Sequence, residues 1–315
     1  MSDPARHRAR SRVEISIPEV FSSATIEREG ADGLNWLEAL PDLIEHLCET
    51  WDLEVDGPTM HGYVGVVIPV SRGGTPYVLK ISWIDEWSRH EALALSTWAG
   101  RGAVRLIDAE PSSGAMLLER LDHRHSLEGL PVDEATRIAG KLLRRLAVPA
   151  PTEIRAVSAE GARMRRRLPE LWEHTGKPFE EPLLDEALGI LDEHGDCRPD
   201  TIVNQDLHFE NILAGEREPW LVIDPKVLAG DLEFGAAPLL WNRFSEMRGP
   251  DDLRQRLAIL ADAAELEPLL ARDWSHVRIL EYWLWAIGVG LTDDPKKCRT
   301  LVDWLRPERL GRCTP

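Results

Sequence analysis

The sequence predicts an α+β fold in two parts, strand-rich first and mainly helical second. Three observations carry that prediction. Short segments rich in branched residues, separated by Gly-containing turns, fill residues 63–121, and long amphipathic stretches dominate after Asp122. Two short apolar runs interrupt those stretches, Ile202-Val203 and Leu221-Val222-Ile223, each leading to an acid. Both are too short for helices and read as buried strands that feed a loop.

From Asn35 to Asp52 apolar residues recur at helical spacing (Leu37, Leu40, Leu43, Ile44, Leu47, Trp51), with Pro41 as a break or the first turn of a second helix. A helix pair therefore opens the chain. Tyr63–Val70, Pro76–Trp83, Val104–Ala109 and Ala115–Leu121 read as strands of an antiparallel sheet, with turns such as Ser71-Arg72-Gly73-Gly74 between them. Ile84–Ala99, with Leu93, Leu95 and Trp98 on one face, reads as a helix crossing that sheet. The stretches Asp133–Ala147, Thr152–Trp172, Pro182–His194 and several from Ala237 to Trp304 are helical in pattern. Neither an internal repeat nor a low-complexity segment occurs.

The chain has 315 residues and a formal net charge of −17. That field repels nucleic acid and anionic membranes and suits a cationic small molecule, although an acidic surface also serves solubility alone. Cys48, Cys197, Cys298 and Cys313 lie far apart, without metal-ligand spacing, and read as free thiols of a cytoplasmic protein. The basic start, residues 1–13, lacks the apolar stretch of a secretory signal and reads as a mobile tail. With no run of eighteen apolar residues, a membrane span is not expected, and a monomer or weak homodimer is.

The chemistry concentrates in Asn204-Gln205-Asp206-Leu207-His208-Phe209-Glu210-Asn211 and in Ile223-Asp224-Pro225-Lys226. An acid stands on a loop, an amide oxygen follows five residues later, and a second acid stands eighteen residues from the first. A base and two hard oxygen ligands are what metal-assisted phosphoryl transfer requires. Asp206 is the candidate base, and Asn211 and Asp224 are the candidate Mg²⁺ ligands. His208 either donates to a phosphate oxygen or packs the loop. Upstream, Tyr77-Val78-Leu79-Lys80-Ile81 alternates as a strand with one cation, Lys80, the candidate for the α- and β-phosphates of ATP, and Glu91 in the following helix is its candidate partner. No Walker-type loop is present.

These segments resemble the aminoglycoside phosphotransferase superfamily, in particular its streptomycin 6-kinase and hydroxyurea phosphotransferase branch. The resemblance rests on the Asp206–Asn211 loop and on Ile223-Asp224-Pro225-Lys226 followed by Gly230-Asp231 and Ala237-Pro238-Leu239-Leu240-Trp241-Asn242-Arg243. It implies a protein-kinase-like two-lobed fold: an N-lobe over 14–118 that binds nucleotide, a hinge over 119–122 and a helical C-lobe over 123–315. It also implies ATP and Mg²⁺ as cofactors, Lys226 near the phosphates or the base, and main-chain contacts from Glu119 and Leu121 to adenine. Gly57–Tyr63 stands where a phosphate-covering turn belongs, and reads equally well as a plain hairpin. Two positions depart from the pattern. Asn204-Gln205 replaces the usual His-Gly, and Gly235 stands where an acid is expected, leaving Glu233 or Asp231 to tie the catalytic loop.

The implied activity is transfer of phosphate to a hydroxyl of a small, cationic acceptor such as an aminoglycoside. A kinase of an endogenous amino sugar or choline-like alcohol shares every catalytic residue, and a catalytically weak nucleotide-binding module is the non-enzyme reading. Asp231, Glu233 and Trp241 are the candidate acceptor-site residues. Aromatic faces such as Trp241 stack on sugars and cations, whereas helix-core packing accounts equally for Trp283 and Trp285.

Overall fold

The structure, a computed structural model, describes residues 16–195, 198 and 200–306; the expected tail over 1–13, Cys197 and Cys313 lie outside the described residues. The described chain forms two compact units, one from residues up to Glu86 with Leu106–Arg120, the other from Trp87–Arg105 with Leu121 onward.

The first unit is a helix on an antiparallel sheet. Helix α1 (Glu19–Thr50) keeps its helical course through Pro41 and breaks instead at Gly30, whose φ of 64° lies in the left-handed region. Glycine alone takes that conformation without a Cβ penalty, so the opening pair divides there rather than at the proline. The strands are β1 (Glu54–Val55), β2 (Met60–His61), β3 (Gly65–Arg72), β4 (Thr75–Ser82), β5 (Leu106–Glu110) and β6 (Ala115–Glu119), in the order β1-β3-β4-β6-β5 with β2 also on β3. Leu40, Ile44 and Leu47 of α1 and Val66, Ile68, Val70, Leu79, Ile81 and Leu117 of the sheet form one buried core. Their alternation on β3 is the period-two pattern of a strand with one face packed. Gly57–Tyr63 closes as a hairpin, Gly62 N donating to Gly65 O at 2.9 Å. Gly65 has a steric reason: a Cβ there would stand 2.7 Å from Ile81 O.

The second unit holds α2 (Glu91–Trp98), β7 (Asp122–Ser126), α3 (Val132–Leu146), α4 (Val157–His174), α5 (Glu181–His194), β8 (Ile202–Asn204), β9 (Ile212–Ala214), β10 (Trp220–Val222), β11 (Val227–Ala229), α6 (Ala236–Trp241), α7 (Pro250–Ala264), α8 (Pro268–Gly288) and α9 (Asp294–Leu305). The segment Ile84–Ala99 is helical only from Glu91, after a short 3-10 turn at Ser88–His90. Helix α2 is fixed within this unit by Trp98, which is 1% exposed and donates its indole N–H to Leu146 O at 2.9 Å. Val104 N donates to Val222 O at 2.8 Å and fastens the segment that follows α2. Two small antiparallel sheets, β10-β9-β7 and β11-β8, carry the chemistry-bearing loops. Helix α8 packs against α4, α5, α6 and α9 and buries Trp274, Val277, Ile279, Leu280, Trp283 and Leu284. For Trp283 the core-packing alternative is the one realised, while Trp285 is 43% exposed. Among the described residues no helix is long and apolar enough to cross a membrane.

Candidate active site

Strand β8 ends at Asn204 and the chain turns at once into the loop carrying Asp206. Strand β11 pairs with β8 in the register Val227↔Asn204 and Leu228↔Val203, which brings the residues before β11 against the start of that loop. Gln205 N donates to Lys226 O at 2.9 Å. The Asn204 side chain, 1% exposed, completes the brace: its Oδ1 accepts from Asp206 N at 3.1 Å and from Lys226 N at 3.3 Å. Because both neighbours are donors, they fix which end of the amide is the oxygen. Asn204 thus braces the loop from the position where the resembled pattern has histidine. Asn204→Ala is expected to leave two backbone N–H groups without that acceptor, at a cost of about 1–3 kcal/mol. Denaturant unfolding measures the loss, and Asn204→Asp, which keeps an acceptor oxygen, is expected to recover most of it.

The Lys226 ammonium contacts Asp206 Oδ2, and the two side chains are 28% and 30% exposed. Lys226 therefore stands beside Asp206, the candidate base. On the other side of the loop, Asn211 Nδ2 donates to Asp206 O at 3.4 Å, and Asn211 O accepts from Ile223 N at 2.9 Å. This last bond extends the β9–β10 ladder by one step beyond Val222↔Ile212. Asn211 and the segment leading to Asp224 therefore stand side by side at the open end of that ladder. Asp224 has φ +48°, a left-handed conformation that is uncommon for a side-chain-bearing residue and that Asp tolerates better than most. An amide oxygen and a carboxylate are hard donors, and two protein ligands suit Mg²⁺, which keeps waters and phosphates in its remaining positions. No cluster of three or more His, Cys, Asp or Glu able to hold a metal occurs among the described residues.

Asp206 opens onto a cavity of about 660 Å³, whose wall includes His208, Trp241, Asn242, Asp293 and Lys297. His208 Nδ1 makes no hydrogen bond in the protein and lies 3.6 Å from the Glu210 carboxylate. Most wall charges are already matched: Lys296 with Asp293 at 3.0 Å, Lys297 with Asp294 at 2.6 Å, and Arg243 with Glu246 at 2.7 Å. Trp241 stacks on Tyr282 at 5.2 Å between ring centroids, and Tyr282 on Trp285 at 5.4 Å. Tyr282 OH donates to Asp294 at 2.9 Å. Burial and that bond hold the phenol far above its ordinary range, so it stays a donor.

Asp231 and Glu233 take other partners. Asp231 Oδ2 accepts from the Trp274 indole at 3.1 Å, and Glu233 Oε1 accepts from Glu267 N at 2.9 Å, ahead of α8. In the first unit Lys80 sits mid-strand on β4, 8% exposed, in register with Val67 and Met116. Glu119 ends β6, and Arg120 after it donates to Tyr77 O at 2.9 Å and to Asp56 at 2.6 Å, which anchors the main chain leading to Leu121. Glu91, in the second unit, opens α2 at 2% exposure.

A family profile described as aminoglycoside/hydroxyurea antibiotic resistance kinase matches residues 50–290. The chain belongs to this family. It is 35% identical to a streptomycin 6-kinase of Streptomyces glaucescens over 93% of this chain and 97% of that protein. It is 36% identical to a hydroxyurea phosphotransferase of Kitasatospora aureofaciens over 90% of this chain and 84% of that protein. Among solved structures, an aminoglycoside phosphotransferase in complex with ADP and hygromycin B aligns with a TM-score of 0.59 at 16% identity, covering 86% of this chain and 99% of the other. A choline kinase from Streptococcus pneumoniae aligns at 0.54 and 12%, over 84% of this chain and 98% of that one. At such identities the likeness shows the kinase-like fold. Family membership and the two relatives make this chain a small-molecule phosphotransferase of the antibiotic-resistance type.

Proposed function

We propose that the protein transfers the γ-phosphoryl group of Mg·ATP to a hydroxyl of a cationic acceptor of aminoglycoside size, seated in the cavity beside Asp206. The observation that carries this reading is the placement of one carboxylate: Asp206 lines a cavity of about 660 Å³ while its loop is braced by Asn204, Asn211 and Lys226. That volume lies within the range of sites for drug-sized ligands, several times what hydroxyurea fills. The aromatic wall at Trp241 favours a ring-bearing acceptor, and the carboxylates of Asp293 and Asp294 can exchange lysine for an ammonium or guanidinium of the ligand.

In this reading Asp206 accepts the proton of the attacking hydroxyl, a role worth about 10²–10⁴-fold in rate. Lys226 orients the carboxylate and keeps its charge in place. Asn211 and Asp224 hold Mg²⁺, which when bound offsets charge on the phosphate oxygens. Lys80 is assigned to the α- and β-phosphates, Glu119 and Leu121 offer main-chain groups to adenine, and His208 is assigned to a phosphate oxygen.

The test is a panel of acceptors (streptomycin, other aminoglycosides, hydroxyurea, simple amino sugars and choline) incubated with ATP and Mg²⁺, with ADP release measured. Turnover on an aminoglycoside above all others is expected. Turnover confined to hydroxyurea or choline would overturn the acceptor class while keeping the phosphotransferase.

A further inference from the structure

We infer that Arg278 of α8 is a positioning residue for this phosphoryl transfer, clamping the peptide that carries Asp206 to the segment between β11 and α6. The inference rests on the proposed function for its kinetic consequence, though not for the geometry.

Arg278 Nη1 donates to two main-chain carbonyls, Gln205 O at 2.6 Å and Phe234 O at 3.2 Å. A single guanidinium nitrogen carries two N–H groups, so both bonds are made at once. Gln205 is the residue immediately before the base, and Phe234 belongs to the short 3-10 turn Leu232–Gly235. The guanidinium carbon also lies 4.8 Å from the Phe234 ring centroid and 5.9 Å from that of Trp241, so the clamp touches the cavity wall as well as the loop. Desolvation pulls the Arg278 pKa down from the usual arginine range, and the carboxylates of Glu281, Asp206 and Glu160 work against it. A guanidinium so placed remains charged, since even a substantial drop leaves it protonated at neutral pH.

The acids around the 3-10 turn do not supply this anchor. Gly235 presses its backbone on β8: a Cβ there would stand 2.7 Å from Asn204 O, 3.0 Å from Val203 Cγ2 and 3.1 Å from Leu143 Cδ1. No acid fits at 235 without moving that strand. Asp231 and Glu233, the two candidates for the tie read from the sequence, bond Trp274 and Glu267 N instead. A cation from a helix 73 residues downstream of Gln205 therefore supplies the anchor, and it holds carbonyls rather than N–H groups.

A positioning role predicts a particular kinetic signature. Arg278→Met keeps the stem volume and removes every donor; its kcat is expected to fall roughly 10²-fold, with KM for ATP and acceptor within about twofold, as for a small displacement of a reacting group. Arg278→Ala opens space for a small cation, and added guanidinium ion at sub-denaturing concentration is expected to restore part of its kcat, while Asp206→Ala gains nothing. A third readout needs no substrate: amide hydrogen exchange should accelerate in residues 204–211 of Arg278→Met and stay unchanged in α1 and β3. Wild-type kcat in Arg278→Met, or an exchange increase spread evenly over the molecule, would overturn the clamp. If the wild-type protein transfers phosphate to no acceptor, the proposed function fails, and the exchange comparison still decides the clamp: unchanged protection over 204–211 refutes it.

Discussion

Asp206→Ala is expected to abolish phosphoryl transfer while leaving nucleotide binding intact. The Asp206 main chain is held by the Asn204 and Asn211 side chains, and its carboxylate opens to the cavity. Its removal takes away the proton acceptor, a loss of about 10²–10⁴-fold before any orientation effect is counted. Because the side chain is 30% exposed, the fold does not depend on it. Calorimetric titration with Mg·ATP should match the wild type, and ADP release should fall to background. Asp206→Asn keeps the shape and an oxygen for Lys226, so equal inactivity in that variant would assign the loss to proton transfer rather than to loop collapse. Wild-type turnover in either variant contradicts the assignment.

The second large effect is expected at Asp224. Asp224→Ala should remove the Mg²⁺ dependence of nucleotide binding and lower turnover on the order of 10³-fold, the scale of losing several kcal/mol of charge stabilisation. One complication is conformational: with φ at +48°, alanine is strained at this position. Asp224→Asn is the control, since asparagine accepts the left-handed region and offers an amide oxygen of lower charge. The measurement is the rise in melting temperature on adding ATP, with and without Mg²⁺. The wild type should show a larger rise with the metal, and both variants should show the same rise in its presence and absence. A metal-dependent rise preserved in Asp224→Ala would move the ligand elsewhere.

The candidate catalytic loop was legible in the sequence because its residues are local. Asp206 and Asn211 share one loop, β9 and β10 are joined by a short turn, and β11, which pairs with β8, follows directly after the Asp224 segment. The apolar alternation of β3 and the long amphipathic helices were legible for the same reason, since burial periodicity is written along the chain. What was not legible depends on contacts between distant segments. Arg278 meets Gln205 across 73 residues, and nothing in the loop announces it. A faint signal existed in α8, where one arginine interrupts the apolar run Val277-Ile279-Leu280 and needed a partner. Helix α1 breaks at Gly30 because a positive φ outweighs the proline that the pattern offered as a break, and Pro41 is accommodated within the helix. Trp98 shows the same limit: its helical spacing was plain, but the bond to Leu146 O that fastens α2 was not. The acidic and basic residues at 293–297 carried no motif, and the packing of α9 against α8 brings them to the wall that Trp241 shares.

The most direct test of the central claim is mass analysis of an acceptor after incubation with ATP, Mg²⁺ and the wild-type protein, run beside Asp206→Ala. The account predicts a phosphorylated aminoglycoside, with the phosphate on a hydroxyl oxygen, in the wild-type reaction and none in the variant. Contradiction would come from phosphorylated product in equal amount with Asp206→Ala, or from no phosphorylated product with any aminoglycoside, hydroxyurea, amino sugar or choline.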